Sequence, residues 1–525
     1  MNQSVSMKSI LKHIGSIQCL VAGLLLTVLP ISMIYAEYYQ GFFMLVSSGV
    51  VFSIGYPLHR FIDQEGEMSR GETILTAGLA WLLTALLGSL PFLLSAYYTP
   101  PEIIFSYVPA GANYSSSLLN FRNPLHAFFE SMSGWTTTGL TMSVHEPTLP
   151  HTLLWYRSFM QWAGGIGVIV LALVVFPQPG TSTPSFLYES EARERKVRPS
   201  VVSTVKVISW TYIGLTLGSM IWLFVGTLLL LPSYPWTKAL WDAFNHAMTA
   251  ISTGGFSVLD NSTAEYGSRA MEWLTIPPMV LGGIALPVHY LVFVKGKFKT
   301  MFTDIQNRVY FLLSVIGTSI MVLLLVREVD LPKAVHVGTF QFLSALSTTG
   351  FQTGTIGDWT FVSVLFLSGT AMIIGGSAGA TVGGVKIIRA YLVLRGFLWK
   401  IKENLVPDQA VVHFQVGDEQ YERDAGIRMF YDALSFCAVY ALILLMTTIV
   451  LLLLAPAGMG PEDVLFDAIS AQGTVGLSSG FTGPGMHPGA ELCLIVQMWI
   501  GRLEIIPVMM IGYFLIGGSP RSTNP

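Results

Sequence analysis

A six-residue pattern recurs four times in this 525-residue chain. It reads small residue, Thr, any residue, Gly, Leu or Phe, polar residue. The copies are Thr136-Thr137-Thr138-Gly139-Leu140-Thr141, Ser252-Thr253-Gly254-Gly255-Phe256-Ser257, Ser347-Thr348-Thr349-Gly350-Phe351-Gln352 and Gly473-Thr474-Val475-Gly476-Leu477-Ser478. They lie roughly 95 to 125 residues apart, too far for a solenoid repeat but suited to an internally repeated membrane protein. The flanks repeat as well. Each copy follows a half-length amphipathic segment and stands between two long apolar segments. Irregular backbone at membrane depth survives only where it is buried in protein or lines water. Four such strings in one chain therefore imply a shared central pore.

Charged residues make up 11% of the chain and hydrophobic ones 52%. Soluble domains average about 25% charged, so this chain has too few charges to cover a soluble surface of its size. Its formal net charge of −3 gives no support to nucleic-acid binding. Cys19, Cys437 and Cys493 lie in apolar runs without metal-ligand spacing. No cleavable signal peptide is expected, because the first apolar run continues to about Ala36.

A spanning helix needs about 20 apolar residues. The first candidates, about Ser16 to Ala36 and Gly41 to His59, carry no string and form an added hairpin. Unit one then reads Ile74 to Ala96, a half helix Pro124 to Trp135, its string, and Tyr156 to Phe176. Unit two has Ser209 to Leu231, Trp236 to Ile251 and Trp273 to Val294. Unit three has Tyr310 to Val326, Ala334 to Ala345 and a segment from Trp359 onward. Unit four has Met429 to Leu454, Glu462 to Ala471 and Leu492 to Phe514. The expected fold is an all-α polytopic membrane protein: four pseudo-symmetric helix–pore loop–helix units around one central pore, plus an N-terminal two-helix hairpin. The divisions are residues 1–70 for the hairpin, then 71–200, 201–305, 306–425 and 426–525 for the units, with ten full spans and four re-entrant loops. Leaving Arg502 aside, this topology puts 21 Lys and Arg on one side and six on the other. The richer side is cytoplasmic by the positive-inside rule. Both termini are then cytoplasmic, and the four strings enter from outside.

The strings contain no Asp or Glu, so cation selection there falls to backbone carbonyls rather than to a carboxylate ring. Gly permits the backbone angles that turn carbonyls toward an axis, and Thr adds a hydroxyl. Half helices running inward would point their partially negative C-termini at the pore. Glu130, Asp242, Glu462, Asp463 and Asp467 lie on or near these helices and read as structural hydrogen-bonding groups. Thr474-Val475-Gly476 matches the opening of the potassium-channel filter sequence.

On these motifs the chain resembles the Trk/Ktr/HKT superfamily of potassium transporters, and most closely its bacterial Trk-type membrane subunits, over nearly its whole length. The resemblance implies a selectivity filter of Thr137, Thr138, Gly139, Thr253, Gly254, Gly255, Thr348, Thr349, Gly350, Thr474, Val475 and Gly476, with potassium ion as substrate and no cofactor bound by this chain. In the plant branch a Ser at the first of the four glycine positions accompanies sodium preference. Gly139 points instead to potassium.

Gly375-Gly376-Ser377-Ala378-Gly379-Ala380-Thr381-Val382-Gly383-Gly384 interrupts what would be the second long helix of unit three. Each Gly costs about 1 kcal/mol against Ala in a helix. The run is thus either a close-packed glycine helix contact or a non-helical intramembrane loop beneath the filter. The resemblance implies the loop, acting as a gate through Gly375, Gly376, Ser377, Gly379, Gly383 and Gly384. Arg502 lies in an apolar span, where a charge is expensive and faces a cavity or a partner. A salt bridge with Glu504 is one reading; the resemblance implies a pore-facing electrostatic barrier. Lys386 and Arg389 are expected near the cytoplasmic mouth. The polar segments Pro179 to Ser203 and Lys386 to Arg428 are expected as solvated loops, with Val406-Pro407-Asp408 and Phe414 to Glu422 as a small turn or hairpin. The resemblance implies a homodimer in the inner membrane, docked to a cytosolic, nucleotide-binding, TrkA-like regulatory subunit. This chain has no phosphate-binding glycine loop of its own. A sodium or mixed-cation transporter of the same fold is the alternative. A membrane enzyme is disfavoured, because the ten His are scattered without metal-binding spacing.

Overall fold

The computed structural model describes residues 6–63, 68–175, 201–354, 356–407, 412–505, 508–509 and 511–512. Most of the expected loop from Pro179, together with Asp408, Phe514 and Arg521, lies outside them. The fold is all-α and multi-pass. Among the described residues six helices are long and apolar enough to cross a membrane, or seven if one bent pair is a single span. The expected count of ten took every second helix of a unit as a full span; three of them are broken, and the continuous one of unit one, His151–Val175, is not among the six. Large apolar side chains such as Leu20, Leu229, Leu323 and Leu453 stand exposed on the outside, while the middle of the molecule buries Thr, Ser and Gln. That inversion suits a lipid-facing surface around a polar axis.

The hairpin consists of Met7–Leu26, continued by Leu29–Ile34, and Tyr38–Phe61. Its helices approach closely where Gly15 faces Gly55: a Cβ on Gly15 would collide with backbone of the partner helix. Such small-residue seams pack helices where lipid offers no hydrophobic drive. Gln18 donates to Thr84 Oγ1 at 2.9 Å, and Glu37 accepts from the backbone N–H of His151 and Thr152, both at 2.8 Å. The hairpin is thereby tied to unit one.

The four pore helices are Pro124–Trp135, Trp236–Ile251, Leu331–Leu346 and Pro461–Gly473. Each begins at a proline: Pro124 and Pro461 open their helices, Pro332 stands in a first turn, and Pro235 is an N-cap. Proline suits a helix start because its missing N–H would be unpaired there anyway. At 12 to 16 residues these helices run about 18–24 Å, short of a bilayer core.

The first helices of the units are Arg70–Gly88 with Leu90–Tyr98, Val201–Leu230, Ile305–Leu325 and Arg423–Leu454. In unit one the second helix, His151–Val175, is continuous. The unit-two helix, expected as one span over Trp273 to Val294, breaks after Gly282 and bends by 101° into Leu286–Val294. Unit three breaks after Met372 and resumes at Ile387–Leu405. In unit four, Leu492 to Phe514 is likewise not one helix: Pro488–Arg502 ends there, and Glu504 and Ile505 take positive φ. A short antiparallel hairpin pairs Phe414–Val416 with Glu419–Tyr421. It is less exposed than expected, since Phe414 is buried edge-on against Trp399.

Candidate functional site

All four strings leave their pore helices by the same turn. The N–H groups of Thr138, Gly254, Thr349 and Val475 donate back to the carbonyls of Ser133, Thr249, Ser344 and Ser470, at 2.8–2.9 Å. In a trans peptide the carbonyl points opposite its N–H, so the carbonyls of Thr137, Thr253, Thr348 and Thr474 face away from the helices. Those four Thr have φ of 51°, 52°, 50° and 48°, and Gly139, Gly255, Gly350 and Gly476 have φ of 98°, 73°, 82° and 91°. Left-handed backbone is natural for Gly but unusual for β-branched Thr, and costs roughly 1–3 kcal/mol per residue. Four strained Thr in register mark a conformation held for use.

The strings meet in a ring. A Cβ on Gly139 would collide with the Gly254 carbonyl, and one on Gly255 with that of Thr349. One on Gly350 would strike the Val475 carbonyl, and one on Gly476 that of Thr138. Units one, two, three and four thus follow each other in chain order and close on unit one. The four glycines line one vestibule of about 290 Å³, whose rim carries Glu146, Arg157 and Asp260.

Opposite the vestibule, the run from Gly375 to Gly384 is a non-helical loop rather than a glycine helix seam. Gly375, Gly379 and Gly384 have φ of 69°, 86° and 73°. Ser377 N donates to Gly283 O at 2.9 Å, and Leu286 N donates to Gly379 O at 3.0 Å. The broken helix of unit two therefore receives the loop of unit three. Gly376 O accepts from Ile387 N at 3.0 Å. Thr253 Oγ1 donates to Thr381 Oγ1 at 3.1 Å, and Gly383 N donates to Thr348 Oγ1 at 3.3 Å. A Cβ on Gly383 would fall on the Thr474 hydroxyl and the Gly473 carbonyl. The loop is seated directly against the inner ends of three strings.

Arg502 is 2% exposed and donates to the carbonyls of Thr381 and Gly164. Among the described residues no carboxylate pairs with it. Glu504 instead pairs with Lys386 and Arg389. Both of those cations follow the loop; Lys386 is buried rather than placed at an open mouth.

The family model described as "TrkH: Cation transport protein" matches residues 101–515. The chain belongs to the TrkH family of cation transport proteins. An uncharacterized cation transporter of Methanocaldococcus jannaschii is 33% identical over 96% of this chain and 95% of its own length. The Trk system potassium uptake protein TrkH of Escherichia coli is 28% identical over 96% of this chain and 98% of its own. The crystal structure of the potassium transporter TrkH from Vibrio parahaemolyticus superposes with a TM-score of 0.79 at 25% identity, over 96% of this chain and 98% of that one.

In this TrkH-family chain the residues that hold the ring were not apparent from the motifs alone. Nine positions before each ring glycine stand Glu130, His246, Gln341 and Asp467, all buried. Each engages the segment just past its own glycine. Glu130 accepts from Met142 N at 2.8 Å and His246 Nε2 lies 3.0 Å from Ser257 Oγ. Gln341 accepts from Thr353 N at 3.0 Å and Asp467 from Ser479 N at 2.9 Å. Aligning the units on their glycines would have revealed the shared offset; differing side chains concealed it. The structural part expected for Glu130 and Asp467 is the one they take.

Two further residues come from unit one's second helix. Arg157 donates to Glu130 at 2.6 Å and to Ser257 O at 3.1 Å, and its guanidinium lies 4.2 Å from the Phe256 ring centre. Gln161 donates to Gly254 O at 2.6 Å and accepts from Phe256 N at 3.0 Å. No unit-one motif pointed to either: Gln161 acts across the boundary with unit two, and Arg157 joins Glu130 of its own unit to Ser257 of unit two.

Proposed function

We propose that this chain takes up potassium across the cytoplasmic membrane through the ring of four strings, with the vestibule outward and both termini cytoplasmic. The single observation behind this reading is the closed ring of left-handed Thr and Gly with carbonyls turned off their helices. Such carbonyls replace the hydration shell of a cation without a fixed negative charge. Thr137, Thr138 and Gly139 serve with Thr253, Gly254, Gly255, Thr348, Thr349, Gly350, Thr474, Val475 and Gly476 as the ion-binding residues. Glycine in all four units, Gly139 included, favours potassium over sodium, and the names of several relatives say potassium uptake.

The loop of Gly375, Gly376, Ser377, Gly379, Gly383 and Gly384 is the gate, and Arg502 is its latch and charge barrier. A gate needs two arrangements of similar free energy, biased by a ligand. The loop leads through Lys386 into Ile387–Leu405 and the Phe414 hairpin, where a cytosolic nucleotide-binding subunit of the TrkA kind would pull. The active form is a homodimer with one pore in each copy.

Rubidium flux into liposomes holding the purified protein, with sodium as competitor, tests the ion. Deleting several residues between Gly376 and Gly383 tests the gate. The deletion protein should fold, as judged by gel filtration, conduct constitutively, and keep its ion preference. A well-folded deletion that conducts no more than its parent would end the gate assignment.

A further inference from the structure

We propose that Gln161 is a positioning residue that sets how tightly the filter holds its ion, through the carbonyl of Gly254; the inference rests on the ring being the potassium path. Gln161 is 0% exposed and belongs to unit one's second helix, but its carboxamide serves string two. Its Nε2 donates to Gly254 O at 2.6 Å, and its Oε1 accepts from Phe256 N at 3.0 Å. A carbonyl can only accept and a backbone N–H can only donate, so the two partners fix which way the amide faces. The ring glycine Gly255 is thereby bracketed on both sides. A Cβ on Gly254 would collide with the same carboxamide. Gln161 thus fills the place that a side chain fills at Thr138, Thr349 and Val475.

The Gly254 carbonyl belongs to a second tier of four, one residue beyond the Thr carbonyls. Gly139 N donates to Ser133 Oγ at 3.0 Å, Gly476 N to Ser470 Oγ at 3.0 Å, and Gly255 N to Thr249 O at 3.4 Å. Each of these N–H groups points back at its own pore helix, so the preceding carbonyls, of Thr138, Val475 and Gly254, point away from it. Each carbonyl of the tier, Thr349 O included, also lies against the ring glycine of the preceding unit. Among the described residues no donor reaches Thr138 O, Thr349 O or Val475 O, and no other second helix donates to a string carbonyl. Gln161 takes one lone pair of a single carbonyl and sets the positive end of an N–H beside it, so this quadrant attracts a cation less than the other three. Conduction needs binding favourable enough to admit an ion and weak enough to release it. One weakened quadrant serves release.

Rubidium uptake into liposomes, with sodium as competitor, tests this on the full-length protein. Gln161→Met keeps the volume and removes the donor. Its KM for rubidium should fall about threefold to tenfold, its maximal uptake should fall as release slows, and its discrimination against sodium should rise. A merely structural loss moves KM the other way, because string two is loosened by losing its bond at Phe256 N. Gln161→Ala with Gly254→Thr refills the space and rebuilds in string two the hydroxyl pair that joins Thr136 to Thr138 at 2.8 Å and Ser347 to Thr349 at 2.7 Å, with Ser252 as its partner. That variant should show the same lowered KM, and it carries the test if Gln161→Met does not fold. A folded variant of either kind whose KM is unchanged or raised would overturn the proposal. A parent that takes up sodium as readily as rubidium would instead refute the potassium reading, and the proposal with it.

Discussion

Gly139 is held by two constraints at once. Its φ of 98° is left-handed, and the place of its missing side chain is taken by the Gly254 carbonyl. Gly139→Ser would force that carbonyl out of the ring while leaving three quadrants intact. Overpacking of this kind costs roughly 1–3 kcal/mol, so discrimination of potassium over sodium should fall about tenfold or more, read from reversal potentials in mixed salts. Unchanged reversal potentials would remove Gly139 from the filter. Glu130 carries a different burden. It neutralises the buried Arg157 and holds Met142 N. Glu130→Gln keeps the shape but leaves the buried guanidinium only Glu146, at 3.5 Å, as a carboxylate partner, a loss of at most about 3–5 kcal/mol, expected as reduced folded yield and a lower melting temperature. An equally stable Glu130→Gln protein would show that Arg157 finds its charge balance elsewhere.

Three of the four second helices are broken, and the breaks decide how the elements meet. The second helices of units two, three and four all stop just below the ring, where Gly282, the loop at Gly375 and Leu503 end them. A broken helix frees backbone groups for a neighbour, and the loop is held in part by such groups, Gly283 O and Leu286 N. Arg502 fastens it further through Thr381 O. Because Glu504 is satisfied by Lys386 and Arg389, Arg502→Ala leaves no orphaned carboxylate. The variant should therefore assemble and pass more rubidium than the parent, through a loosened loop and a lost positive charge. Lower yield with no gain in flux would reduce Arg502 to a structural clamp.

Across the whole molecule the ring is only pseudo-fourfold, and several of its asymmetries lie in unit one and at its boundary with unit two. Arg157, Gln161 and Glu146 all gather there, next to the vestibule. Glu146, in the loop between string and helix, is pushed up to about 8 by burial, against the opposing pull of Arg157; Glu130 and Asp260 raise it a little further. Asp260 on the same rim is paired with His145 at 3.0 Å. Glu146 is neutral below that value and gains a negative charge above it. A new charge at the mouth raises the local cation concentration. Rubidium uptake at limiting concentration should therefore rise as external pH passes from 7 to 9, by up to several-fold at low salt, and Glu146→Gln should flatten the rise. An identical pH profile in the variant would place the titrating group elsewhere.

The four-unit plan was legible in the sequence because it rests on local quantities: runs of apolar residues, prolines at helix starts, and a Thr-x-Gly string whose backbone needs are written in residue type. The pore helices Pro124–Trp135 and Trp236–Ile251 were bounded correctly from sequence for that reason. What the sequence could not specify is which atoms of one unit complete another. The breaks at Gly282 and Leu503 look like continuous apolar span, since hydropathy averages over a turn and does not register where a hydrogen bond is diverted to a neighbouring loop. Thr381, Gln161 and the Arg502 contacts are decided by partners about 90 to 340 residues away, whose positions exist only once the ring has closed.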